Sequence, residues 1–303
     1  MSRMVFTLIL TLSSLIGQNT NLRVEHPPID EQSAIVKSLT YPDVFWVCND
    51  SGNEAAIFAL NSKGEIIMPD YVRKRYDKKK EGNFPGIKIS GAICQDWEAM
   101  TVLGDTLIIA DMGNNGNARR DLGIYLVPEP NPHSVTETRP LVWLPIRYPD
   151  QEKYPATVWE YDCESIFVFQ GMIYFLTKHR GDQNINKPVP STKLYRLETR
   201  YTNKSNILKY IGRKENLGGW VTDANIAPDE SGMILLAQNP FATAVWYFPK
   251  PKRGVNFLSE TPKSFRLLKA DQAEGVCFKD ANTIIVTNEQ RGWFEISLLD
   301  FSK

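Results

Sequence analysis

A chain of 303 residues, 42% hydrophobic and 11% aromatic, has ample material for a large core. Its 35 Lys and Arg balance 35 Asp and Glu, which excludes a global basic field for nucleic acid. Length alone suggests two domains, but all-β folds of this size are often single.

In chain order, the first feature is an address. Arg3 precedes an apolar stretch from Met4 to Ile16, and Gly17, Gln18, Asn19 and Thr20 follow. A charge, a short apolar centre and a small residue at its exit predict a secretory signal peptide over residues 1–18. The stretch falls short of the about 20 residues that a membrane-spanning helix needs. No Cys follows to carry a lipid, and no second long apolar run occurs. The expectation is an exported protein, secreted or periplasmic, without a membrane span, whose residues 19–303 form one domain.

Five related units come next. Ser33–Val36 leads to Val44–Val47 and ends in Asn49 and Asp50. In QDWEAMTVLGDTLIIADMGNN, Glu98 opens the first apolar run, and Asp111 and Asn114 close the second. Glu164–Val168 leads to Gly171–Thr177, then Lys178 and His179. Thr222–Ile226 leads to Met233–Leu236, then Gln238 and Asn239. Glu274–Phe278 leads to Thr283–Thr287, then Asn288 and Glu289. Each unit continues with a third run carrying an aromatic in register: Phe58, Tyr125, Tyr195, Trp246 and Phe294. A less regular fourth run follows in all but the last. Aromatic and β-branched runs broken by Gly, Pro, Asn and Asp predict strands joined by turns. Four strands per unit predict an all-β fold, a single five-bladed β-propeller. Residues Asn21–His26 are expected to supply the missing strand of the last unit and close the ring. Six blades remain the alternative if residues 68–84 hide more strands. The basic run Arg73–Lys80 there, interrupted by Asp77, is expected to be a solvated loop.

The four cysteines, Cys48, Cys94, Cys163 and Cys277, lack zinc-site spacing. Export permits disulfides, so bridges and buried free thiols both stay open.

In a propeller the first strands line the axis, and the polar ends of the opening runs converge on one face. The inner ring is then Ser33, Glu98, Glu164, Thr222 and Glu274. Three converging carboxylates repel one another, and a hard cation with oxygen ligands, calcium above all, would relieve them. Water and backbone amides are the alternative. The rim draws on Asp50, Asp111, Asn114, His179, Asn239, Asn288 and Glu289, with Arg120 and Arg180 in the loops. Carboxylates beside guanidinium groups suit a small polar or anionic ligand. His179 and Asp111 are the candidates for acid–base chemistry.

The segment DWEAMTVLGDTLIIADMGNNGNARRDLGIYLVPEP resembles one common in secreted bacterial propellers of the phytase-like and SMP-30-type groups, which implies a divalent cation at the blade openings. The mixed hydroxyl and carboxylate ring, with VTDANIAPDESGMILLAQ and AEGVCF, resembles that of soluble calcium-activated nucleotidases (apyrases). That resemblance implies a five-bladed layout and an axial calcium, with Thr222 standing where Ser is usual. It does not extend to the nucleotide-contacting residues. The functional expectation is an exported calcium-binding hydrolase of a phosphoester, phosphoanhydride or lactone. A non-catalytic binding propeller with a structural ion is the alternative.

Overall fold

The computed structural model describes residues 21–76 and 82–302. The expected signal peptide lies outside the described residues, as do Asp77–Glu81 of the basic run.

Five antiparallel sheets form the ring. Blade 1 holds Gln32–Lys37, Phe45–Asn49, Ala56–Leu60 and Ile87–Ile89. Blade 2 holds Trp97–Leu103, Thr106–Asp111, Gly123–Pro128 and Val142–Arg147. Blade 3 holds Trp159–Phe169, Met172–Arg180, Thr192–Arg196 and Lys209–Lys214. Blade 4 holds Trp220–Ile226, Gly232–Asn239, Ala242–Pro249 and Lys263–Leu267. Blade 5 holds Ala273–Phe278, Thr283–Asn288 and Gly292–Ser297, completed by Asn21–Arg23 from the other end of the chain. The count is five, and the ring closes as the sequence predicts.

The second strands are near-continuous apolar runs because each blade is packed on both faces, as in TLIIAD and TIIVTN. Fourth strands are more mixed: in Lys209–Lys214 only Gly212 is buried, whereas Ile87 and Ile89 of blade 1 both are. The core is therefore five interblade clusters. Trp46 and Trp97 pack between blades 1 and 2, and Tyr148 and Phe175 between blades 2 and 3. Phe167 and Phe248 lie between blades 3 and 4, Ile234 and Val276 between blades 4 and 5, and Phe45 and Trp293 at the closure. The five aligned aromatics occupy one repeated register, opposite Val47, Ile109, Phe175, Leu235 and Val286.

Outer edges are finished by the following blade. Glu137–Thr138 pairs in parallel with blade 1's Ile87–Ile89, and Asn206–Ile207 with blade 2's Val142–Arg147. The short helical turn Phe257–Ser259 of blade 4 packs on blade 3's outer strand, and Ser302 bridges Ser264 of blade 4. Such covering removes the unpaired edge that invites aggregation.

One expectation needs correcting. Part of the segment read as loop is a helix, Asp70–Tyr76. Its one buried residue, Val72, and Tyr76, four positions on, share the face that meets the protein, where Tyr76 packs edge-on against Phe84 at 5.5 Å. Arg73, Lys74 and Arg75 of the basic run sit around that short apolar stripe. All four cysteines are free thiols, and three are buried. No described helix is long and apolar enough to cross a membrane.

Candidate cation site at the propeller axis

The first strand of every blade carries a β-bulge at one repeated position, at Ser33, Glu98, Glu164, Thr222 and Glu274, and blade 3 has a second irregularity between Trp159 and Asp162. A bulge inserts a residue whose side chain is re-aimed out of the regular alternation. The polar position that precedes each apolar run is thus a repeated backbone irregularity at the axis. All five side chains are buried.

The two hydroxyls and three carboxylates then behave differently. Ser33 Oγ donates to Trp97 O at 2.7 Å, and Thr222 Oγ1 donates to Ala273 O at 2.8 Å. In both cases the acceptor is the residue just before the next blade's bulge, so these hydroxyls stitch neighbouring blades. Carboxylates cannot donate in this way. Glu164 accepts from Lys178 Nζ at 3.0 Å, and Glu274 accepts from Gln238 Nε2 at 2.9 Å. Each keeps a second oxygen, Glu164 Oε1 and Glu274 Oε2, buried without a hydrogen-bond partner.

Lys178, expected at the rim beside His179, is the counter-ion of the inner ring. Burial would lower its pKa, but Glu164, Glu274 and Glu98 together outweigh burial and hold the ammonium protonated. Behind it, Arg180 is ion-paired with Asp162 and hydrogen-bonded to Asn115. Burial would raise the Asp162 pKa, yet Arg180, Lys178 and the Asn114 N–H hold it below the usual range. For Glu98 and Glu164 burial prevails and keeps both pKa values well above normal.

These groups surround an axial cavity of about 250 Å³. Its lining carries five carboxylates, Glu31, Asp50, Glu98, Glu274 and Glu289, against two cations, Lys178 and Arg180. Both cations are already paired with Glu164 and Asp162, so the cavity is acidic. Two of these wall residues meet a third carboxylate: one oxygen each from Asp50, Asp96 and Glu98 lies within 4.8 Å of the others. Gly113 makes that approach possible. A Cβ there would lie 2.4 Å from Asp96 Cγ and 2.7 Å from Glu98 Cγ, so the DMGNN turn has no room for a side chain.

The other sequence-predicted residues divide clearly. Asp50 and Glu289 line the cavity with Arg180. His179 does not. Strand alternation sends Lys178 and Arg180 to the axis and turns His179 into blade 3, fully buried between Thr177 Oγ1 at 2.8 Å and Ser191 Oγ at 2.7 Å. Burial lowers its pKa to about 3. Asp111 is also buried, accepting from Arg119 Nη2 at 2.9 Å and from the Asp96 N–H at 3.1 Å. Asn239 and Asn288 are loop ties whose Nδ2 donate to Gly218 O and Ala270 O, as Asn49 does to Pro28 O. Asn114 ties blade 2 to Tyr161 O of blade 3, and Arg120 stacks over Tyr154 at 4.1 Å.

Asp96 was missed, and Lys178 was expected at the rim rather than against the inner carboxylates. The sign for Asp96 is its spacing, two residues before Glu98 across the bulge.

The acidic cluster gives a pH prediction. Burial, then Asp162 and Asp50, raise Asp96 to about 7, and burial, then Glu274 and Asp50, raise Glu289 to about 7. Both carboxyls hold protons in the folded state that the unfolded chain, with values of about 4, has released. Stability is therefore gained as pH falls from 8 through 7. His26 and His179, whose pKa values burial depresses, act oppositely below about 6.5, where only the unfolded chain takes up their protons. The chelator-treated protein is expected to melt at higher temperature near pH 6.5 than at pH 8, with the difference reduced in Asp96→Asn. Scanning calorimetry across this range checks it; a rising melting temperature from 6.5 to 8 refutes it.

No protein-family model matches the chain, and no curated protein matches it. A solved structure described as "Structure of Dos1 propeller" is similar to it, with 11% identity and a TM-score of 0.39 over 85% of this chain and 52% of that chain. This chain thus spans about half the length of the solved chain it matches.

Proposed function

We propose that this is an exported propeller that binds a calcium ion at its axis through Asp50, Asp96 and Glu98 and presents it to a small polar ligand. The observation that carries the reading is that these three oxygens converge within 4.8 Å, two of them on residues lining an acidic cavity whose two cations are already paired. Calcium binds oxygen at about 2.3–2.6 Å, so two of its ligand oxygens lie at most roughly 5 Å apart. The donor set fits: carboxylates only, no thiolate or imidazole, with room for water. The unpartnered oxygens of Glu164 and Glu274 add negative potential. The resemblance to phytase-like, SMP-30-type and calcium-activated nucleotidase propellers points the same way, though the ligand set differs from the five-residue ring. Ser33 and Thr222 spend their protons between blades, and Glu164 faces Lys178. Export rests on the sequence of residues 1–18.

Bound calcium would supply a Lewis acid and a template for ligand oxygens. Hydrolysis of a phosphoester, phosphoanhydride or lactone is the second reading, favoured by one observation. Glu289 lines the cavity with a pKa near neutrality, as a general base requires, whereas His179 and Asp111 do not reach it. Glu289→Gln would then abolish turnover and leave calcium binding intact.

Thermal unfolding of the chelator-treated protein tests the main reading. Calcium at a hundredfold excess over its dissociation constant should stabilise by about 2.7 kcal/mol. Asp50→Asn and Asp96→Asn should each diminish the shift. No shift with calcium overturns the proposal.

A further inference from the structure

We infer that the axial cavity is the middle of a longer cleft that takes an oligosaccharide chain. The inference rests on the axial cavity being the ligand site, and it names the class of ligand.

Two more cavities adjoin the axial one. A cavity of about 520 Å³ shares Trp220, Gln238 and Gln272 with it and adds Asn239 and Gln290. Another, of about 420 Å³, shares Arg180 and is lined by Trp159, Thr157 and Gln183. All open on the same face. Trp159 starts blade 3's first strand opposite Arg180, and Trp220 starts blade 4's opposite Gln238. The Trp220 flank is joined to the centre by hydrogen bonds as well as by shared walls. Gln238 Nε2 donates to Glu274, Gln272 Nε2 donates to Glu289 Oε1 at 2.9 Å, and Gln290 Nε2 donates to Gln272 Oε1 at 3.1 Å.

The chemistry of the flanks selects the ligand. Each pairs one tryptophan with amide or hydroxyl side chains, beside Glu160 and Asp182 in one flank and Asp271 in the other. Side-chain amides both donate and accept, matching hydroxyls that do the same, and an indole offers apolar area to the C–H face of a sugar ring. A nucleic acid would meet the acidic centre with its phosphates. A peptide bound in extended form seeks an open strand edge, and in this fold the outer strands lie far from the axis and are covered by the next blade. Three adjoining cavities correspond to a chain of about three sugar units, the central one over the carboxylates.

The test is calorimetric titration of the whole mature protein with cello-, xylo-, malto-, chito- and galacturono-oligosaccharides of one to six units. One series is expected to bind with affinity rising about tenfold or more between one and three units. Gln290→Ala and Gln183→Ala, exposed residues in opposite flanks and outside the axial cavity, should together weaken the trimer about tenfold while barely weakening the monomer. Trp220→Ala should weaken it further. Binding of no series, equal affinity at all lengths, or an unaffected Gln290→Ala/Gln183→Ala variant overturns the inference, as does capture of an extended peptide in place of any sugar. Calcium titration of the same proteins keeps the two proposals apart. Calcium binding without sugar binding sinks the cleft alone, and sugar binding without calcium sinks the ion and leaves the cleft standing.

Discussion

Lys178→Met is expected to lower the free energy of unfolding by about 3–5 kcal/mol, because it removes one partner of a buried ion pair and leaves the other. Methionine keeps most of the stem and deletes the charge, so the loss is electrostatic rather than a cavity. Glu164, fully enclosed, would face Glu98, Glu274 and Asp162 with only Arg180 to oppose them. The sign with pH follows. Glu164's folded pKa is raised, so its charge costs stability above that value and protonation relieves the cost as pH falls. Lys178's folded pKa is also raised, by these carboxylates, so the ammonium itself stays charged from pH 5 to 8. The deficit of Lys178→Met should therefore shrink toward pH 5. Lys178→Met/Glu164→Gln should recover most of it, since the double-mutant cycle removes both charges. Denaturant unfolding measures all three proteins; a single variant within about 1 kcal/mol of wild type would show that Lys178 is not the axial counter-ion.

Glu98→Gln is expected to move two properties in opposite directions. Burial, then Glu164 and Asp50, raise the Glu98 pKa well above normal, so its ionised form is a standing cost near pH 8. A neutral isostere removes that cost, and the chelator-treated variant should melt higher than wild type at pH 8 and by less at pH 5. Calcium affinity should fall by about a hundredfold, since ligand charge sets the affinity of such sites over several decades. Sites that bind ions are commonly held at the expense of stability. A variant that loses stability, or keeps wild-type calcium affinity, would count against placing Glu98 in the ion site.

The ring and its blade count were legible because strand patterning and turn residues repeat five times, and repetition averages out local ambiguity. The bulged positions were legible for the same reason: a polar residue before each apolar run marks where the backbone departs from alternation. What these residues bond to was not. Ser33 and Thr222 look like ligands in sequence, but each points at a carbonyl of the next blade, about 50–64 positions away. His179 and Lys178 looked equivalent because the strand was expected to end at Thr177. It runs on to Arg180, so adjacent residues take opposite sides, and only the even pair reaches the axis. Asp50, Asp96 and Glu98 come from two blades and meet only through a glycine whose need for closeness is tertiary.

The covering of each outer edge by the blade after it gives the chain a direction. A ribosome delivering this protein releases blade 1 before the segment Glu137–Thr138 that finishes it, and blade 2 before Asn206–Ile207. Blades 1 and 2 wait for their successors, while the last must come back for Asn21–Arg23, made before any blade. No point in synthesis leaves a finished smaller object behind. The nascent chain carries an open hydrogen-bonding margin until Gly292–Ser297 pairs with Asn21–Arg23.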